Sequence, residues 1–155
     1  NEMSAALKRR FNFETVFPIA DRETEIELIR EESGRLLAQS GVTAALDGDL
    51  LDLLVTTFRE LRAGLTADGQ ALERPSTAMS TAEAVSVAYA VGVRAHFLGS
   101  GPPSPADLVD CLSGAAIKGD PDDLLRLRHY FEQRVAKIDK PHFRAFFAAR
   151  HRLQG

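Results

Sequence analysis

Phe11-Asn12-Phe13-Glu14-Thr15-Val16-Phe17-Pro18-Ile19 is the stretch on which the fold turns. Phe11, Phe13, Thr15 and Phe17 recur at period two and share one face, with Asn12, Glu14 and Val16 on the other. Aromatic and β-branched side chains in that rhythm specify a strand, and Pro18, which has no N–H to offer, ends it. No other segment carries a comparable strand signal. A single strand leaves its own amides unpaired, and even a two-stranded hairpin is marginal in water. Its partners are therefore expected in sequence outside these 155 residues. The chain opens at Asn1 with no initiator Met or targeting segment, and so reads as a piece of a longer protein.

Everything after the strand is helical in pattern. Asp21 is placed to cap a helix running to Gln39, with Ile26, Ile29, Leu36 and Leu37 as a rough apolar stripe and Gly41 beyond its end. From Asp47 to Ala63, Leu50, Leu51, Leu54, Phe58 and Leu61 keep the i, i+3, i+4 spacing of one buried face, and Gly64 is a suitable stop. Thr66 to Pro75 reads as a loop around Asp68-Gly69. Ser80-Thr81-Ala82-Glu83 has the spacing of a capping box and predicts a helix to Leu98, ended by Gly99 and Gly101-Pro102-Pro103. Ser104-Pro105 and Asp120-Pro121 each put a cap before a proline at the first helical position. A last helix opens near Pro141 and carries Phe143, Phe146 and Phe147. The expected architecture is a mainly-α bundle of about six helices preceded by one β-strand, forming one cooperative unit despite the break near Gly99 to Pro103.

Composition narrows the functional classes. With 45% hydrophobic and 26% charged residues the chain has an ordinary globular balance, which argues against disorder and against a disulfide scaffold. The longest apolar stretch, near Ala82 to Ala90, is interrupted by Glu83 and Ser86 and falls short of the roughly 20 residues a membrane span needs. Cys111 is the single cysteine and sits at helical spacing with Leu108 and Leu112, which reads as an inert core thiol in a reducing cytoplasm. His96, His129, His142 and His151 form no metal-type pair, so metal binding is not expected. Charge is uneven: residues 1 to 120 hold 11 Lys+Arg against 18 Asp+Glu, whereas 121 to 155 hold 8 against 4. Leu124, Leu127, Phe131 and Val135 interleave that basic tail and favour an amphipathic helix with a solvated cationic face over a nucleic-acid patch.

No phosphate loop, nucleophile elbow, His-Glu-x-x-His or dinucleotide fingerprint is present. Glu31-Glu32 and Asp122-Asp123 sit where solvation or the helix dipole accounts for them better than acid/base chemistry does. Arg9-Arg10 differ, because two guanidinium groups stand immediately before a strand whose phenylalanines would anchor them. A permanently charged planar fork suits charge building up on a transferring phosphoryl group, although a solvated basic turn is the plainer reading of Lys8-Arg9-Arg10.

Ser4-Ala5-Ala6-Leu7-Lys8-Arg9-Arg10-Phe11 resembles the segment of AAA+ ATPases in which a last core helix runs through an Arg-Phe step into the final strand, above all in the MoxR-like and dynein-related branch. The resemblance implies that residues 1 to 20 end an α/β nucleotide-binding core and that 21 to 155 form the helical lid and a C-terminal extension. It implies that Arg10, or failing it Arg9, is an arginine finger reaching the γ-phosphate held by the next subunit of a homo-oligomeric ring. ATP and Mg2+ would be bound by the full-length protein, whose Walker motifs would lie upstream of Asn1. This chain alone would be inactive, with no cofactor of its own, and the parent ring would remodel a client protein. Ser80 and Thr81 would open the lid helix whose N-terminus faces nucleotide. Relatives place a sensor 2 arginine there, whereas Ser76 to Ala84 contains no Arg or Lys, leaving the helix dipole and two hydroxyls. The alternative from another class is a non-enzymatic interaction module using the basic tail or the Phe143, Phe146, Phe147 surface.

Overall fold

The computed structural model describes residues 21–99, 101–117 and 120–153. The strand expected over 11 to 17 and the arginines before it lie outside the described residues. Within them the chain is mainly helical: α1 (Arg22–Gln39), α2 (Gly48–Ala63), α3 (Thr81–Leu98), α4 (Pro105–Cys111), α5 (Pro121–Gln133) and α6 (Pro141–Ala148). None of these helices is long and apolar enough to cross a membrane.

The predicted punctuation is what starts and stops them. Asp47 Oδ1 accepts from Leu50 N at 2.9 Å, Ser80 Oγ from Glu83 N at 3.2 Å, and Asp120 Oδ1 from Asp122 N at 2.9 Å. Each such cap satisfies a first-turn amide that has no intrahelical acceptor, and its loss costs about 1 kcal/mol. Gly64 and Gly99 end α2 and α3 in the left-handed region, with φ of 68° and 63°. A fully reciprocal capping box stands at Ser104 and Asp107, where the carboxylate returns a bond to Ser104 N at 2.9 Å. One feature was not legible: α4 widens into a π-helical turn, Leu112–Ile117. A π turn closes five residues on, which brings Leu112 and Ile117 to the same buried side.

α2 is the central element. It touches α1, α3, α4 and α6, and it buries its predicted stripe together with Leu53 and Val55 on another side. The packing of α1 on α3 is close enough at Gly92 that a Cβ would stand 2.7 Å from the Ala44 carbonyl oxygen and from a Leu37 methyl carbon. One hydrophobic core runs from Ile26 through Phe58, Val91 and Leu112 to Leu153, so the helices on both sides of the Gly99 break share it. The phenylalanine surface of the alternative reading does not form: Phe143 and Phe146 are buried, with Phe146 stacked 4.6 Å from Phe131, and Phe147 lies beneath the Arg150 guanidinium at 3.8 Å. The i, i+3 spacing of these rings turns them toward α2 and α5 rather than toward solvent.

The basic tail and the acidic body are paired in space. Arg126 meets Glu73 and Asp123, Arg134 meets Glu60 and Asp68, and Arg152 meets Asp110. Asp123 makes the tightest of these ties: fully buried, it accepts from Ser76 N at 2.7 Å, Ser76 Oγ at 2.6 Å and Thr77 Oγ1 at 3.0 Å, pinning the loop before α3 to the start of α5. Burial opposes its charge, but these bonds and Arg126 outweigh it and hold the carboxyl well below its usual 3.8. A depressed folded-state value gives stability that is complete above the unfolded value and shrinks as pH falls through it. Asp123→Asn is therefore expected to lower stability by roughly 1–3 kcal/mol near neutrality. The gap between variant and wild type should narrow in urea titrations taken at about pH 3, and a gap constant with pH would refute this account.

Candidate functional site

The start of α3, where the sequence places Ser80 and Thr81, is built on a buried carboxylate. Glu25 of α1 is wholly inaccessible and accepts from Arg59 Nη1 at 2.8 Å, Arg62 Nη2 at 2.8 and 3.0 Å, and Thr81 Oγ1 at 3.0 Å. Arg62 Nη1 also donates to the carbonyl oxygen of Met79 at 3.3 Å. Met79 is buried with φ of 53°, a conformation L side chains seldom adopt, so the turn into α3 is held by its surroundings rather than by its own preference. Two guanidinium groups share one carboxylate at this three-helix junction, where Glu83 stands in the first turn of α3. The Ser80 hydroxyl caps the helix and the Thr81 hydroxyl donates to Glu25, so both predicted residues are engaged within the fold.

Arg59 and Arg62 extend from this junction into a groove of about 990 Å³ between α2 and the segment that links α5 to α6. Arg22, Arg134, Lys137 and Lys140 also line it, against the carboxylates of Asp52 and Glu60. At one end Asp52 takes bonds from Arg22 and from His142, whose Nε2 lies 2.7 Å away, and Lys140 stands 3.7 Å off. Burial works against its charge, yet His142 and Arg22 keep its carboxyl below the usual value. At the other end Glu60 accepts from Arg134 Nε and Nη2 at 3.0 and 2.9 Å, Tyr130 Oη at 2.8 Å and Ala67 N at 2.8 Å. Burial first, and the Glu60 charge second, raise the Tyr130 phenol well above its ordinary value, which keeps it a donor. Ala63, Leu65, Ile138 and Phe143 give the groove an apolar floor, with Leu65 49% exposed.

Sequence reasoning did not find this groove. Arg59 and Arg62, three apart in the last turns of α2, are a visible hint, but their neighbours in space lie far along the chain. Cys111 is partly buried, and that burial pushes its thiol up to about 11, away from thiolate chemistry. Among the described residues no group of His, Cys, Asp and Glu could hold a metal ion.

Comparison with known proteins bears on residues across this whole bundle. Residues 23–154 match the family described as YehL-like AAA+ ATPase C-terminal domain. The protein YehL of Escherichia coli (strain K12) is 54% identical over 153 residues, covering 99% of this chain and 42% of that protein. The chain thus spans about two-fifths of the length of the curated relative it matches. No solved structure matches it.

Proposed function

The chain belongs to the YehL-like AAA+ ATPase C-terminal domain family, and from that premise we propose that it is the helical lid and C-terminal extension of a MoxR-like AAA+ ATPase. The full-length protein would bind ATP and Mg2+ in an upstream core, hydrolyse ATP in a cytoplasmic homo-oligomeric ring, and use the lid's movement to remodel a client protein. The observation that carries this reading is the family match, which begins at residue 23, inside the first turn of α1. On this reading residues 1 to 20 are the end of the core, with Arg10 and then Arg9 as the finger acting on the neighbouring subunit.

Within the lid, the N-terminus of α3 is the element proposed to face nucleotide. Its dipole favours anions there. The first turn carries Glu83 and no cation of its own, but Arg62 brings one from α2, bonded to the carbonyl of Met79 two residues before the helix starts. We read Arg62 as the cation that serves this helix end.

Hydrogen exchange on the full-length protein tests the assignment. The amides of Thr81 and Ala82 fall in the first turn, where no intrahelical acceptor exists. A non-hydrolysable ATP analogue is expected to slow their exchange, with little change in α6. ATP hydrolysis by a protein whose α3 amides do not respond would show that this helix is not a nucleotide-facing lid element. A nucleic-acid module has less in its favour, since Arg126, Arg134, Arg150 and Arg152 are each engaged by a carboxylate of the same chain.

A further inference from the structure

The groove along α2 concentrates positive charge on a chain whose net charge is −3. Six cationic side chains line it; with Asp52 and Glu60 in the lining, Glu25 bonded to Arg59 and Arg62, and Asp68 beside Arg134, six cations meet four carboxylates. We propose that this groove, which shares Arg62 with the start of α3, is a docking site for an acidic protein segment that carries aliphatic side chains.

Three observations select that occupant. The guanidinium groups of Arg22, Arg62 and Arg134 are oriented by Asp52, Glu25 and Glu60, so the walls are organised before anything binds and little ordering is required of them. Lys137 and Lys140 stand exposed at the rim, where mobile point charges can follow carboxylates of varied spacing. Leu65 and Ile138 offer the floor an aliphatic side chain could cover, and Leu65 is one of few large apolar side chains left half exposed among the described residues.

A phosphate backbone fits the same groove less well. Its charges recur at every residue and would face Asp52 and Glu60, whereas a peptide can place a neutral or apolar residue opposite each. Nucleic-acid sites that lack sequence preference also use exposed aromatic rings for stacking. The ring in this groove, Phe143, is buried in the core beneath Lys140. At about 990 Å³ the groove is at the upper end of the roughly 300–1,000 Å³ of small-molecule sites and is open along its length, which suits an extended segment.

The test is fluorescence anisotropy on the whole chain with a short labelled peptide of Glu and Leu. Binding is expected, weakening with added salt, and Lys137→Glu with Lys140→Glu should weaken it by about tenfold or more. Both lysines are exposed, but Lys140 stands 3.7 Å from Asp52 and over the Phe143 ring, so Lys137→Glu alone, which disturbs neither contact, is the variant expected to melt at the wild-type temperature and still to weaken binding. The proposal is overturned by absence of binding, by equal binding of a Lys and Leu peptide, or by affinity unchanged in the double variant. Tighter binding of single-stranded DNA, or a dimer that the double variant abolishes, would assign the groove to those occupants instead.

Discussion

Arg10→Ala in the full-length protein is expected to reduce ATP turnover by about 10³ to 10⁵ while leaving ATP binding nearly intact. The magnitude follows from what an arginine finger supplies. Charge spreads over the equatorial oxygens of the transferring phosphoryl group only as the reaction proceeds, so a guanidinium aimed there stabilises the transition state far more than the ground state. A finger that acts across a subunit boundary, as proposed, should also show a mixing signature. Arg10→Ala subunits combined with subunits that retain Arg10 but cannot bind ATP should recover part of the lost turnover, because each supplies what the other lacks. Arg9→Ala should cost much less, since the residue nearer the Arg-Phe step is the first candidate. Full turnover in both single variants would remove the finger from residues 1 to 20.

Local signals in the chain are short-range, and the fold followed them. Asp21, Asp47, Ser80, Ser104 and Asp120 all start helices because a side-chain oxygen meeting a nearby amide needs only a few residues of sequence to specify it. The groove was not legible for the opposite reason. Arg22 comes from α1, Arg62 from α2 and Arg134 from just past the end of α5, and nothing in the spacing of one predicts the position of another. The tail's surplus of cations was visible, but read along the chain it suggested a solvated face. In space Arg134 and Arg152 fold back onto Glu60 and Asp110, more than forty residues earlier in the sequence. Thr81 illustrates the same limit: its position at a helix start was evident, whereas its bond to Glu25 depends on how α1 crosses α3.

Arg134→Ala should produce the largest loss of stability among single changes in the polar networks, about 3–5 kcal/mol, because it strands a charge rather than removing a contact. Glu60 is 5% exposed. With the guanidinium gone, its carboxylate would keep only Tyr130 Oη and Ala67 N, two neutral donors, in a site that water scarcely reaches. Neutral hydrogen bonds offset part of the desolvation of a carboxylate but do not replace a paired cation. A loss of that size is a large share of the 5–15 kcal/mol that typical domains possess. The double variant Glu60→Gln, Arg134→Ala separates the causes. It removes the stranded charge while keeping an acceptor for Tyr130, so it should be more stable than Arg134→Ala alone, by roughly 1–3 kcal/mol. Urea titration of the four proteins gives the cycle directly. A single-variant loss below about 1 kcal/mol, or additivity in the cycle, would mean that solvent screens this pair as it does an exposed one.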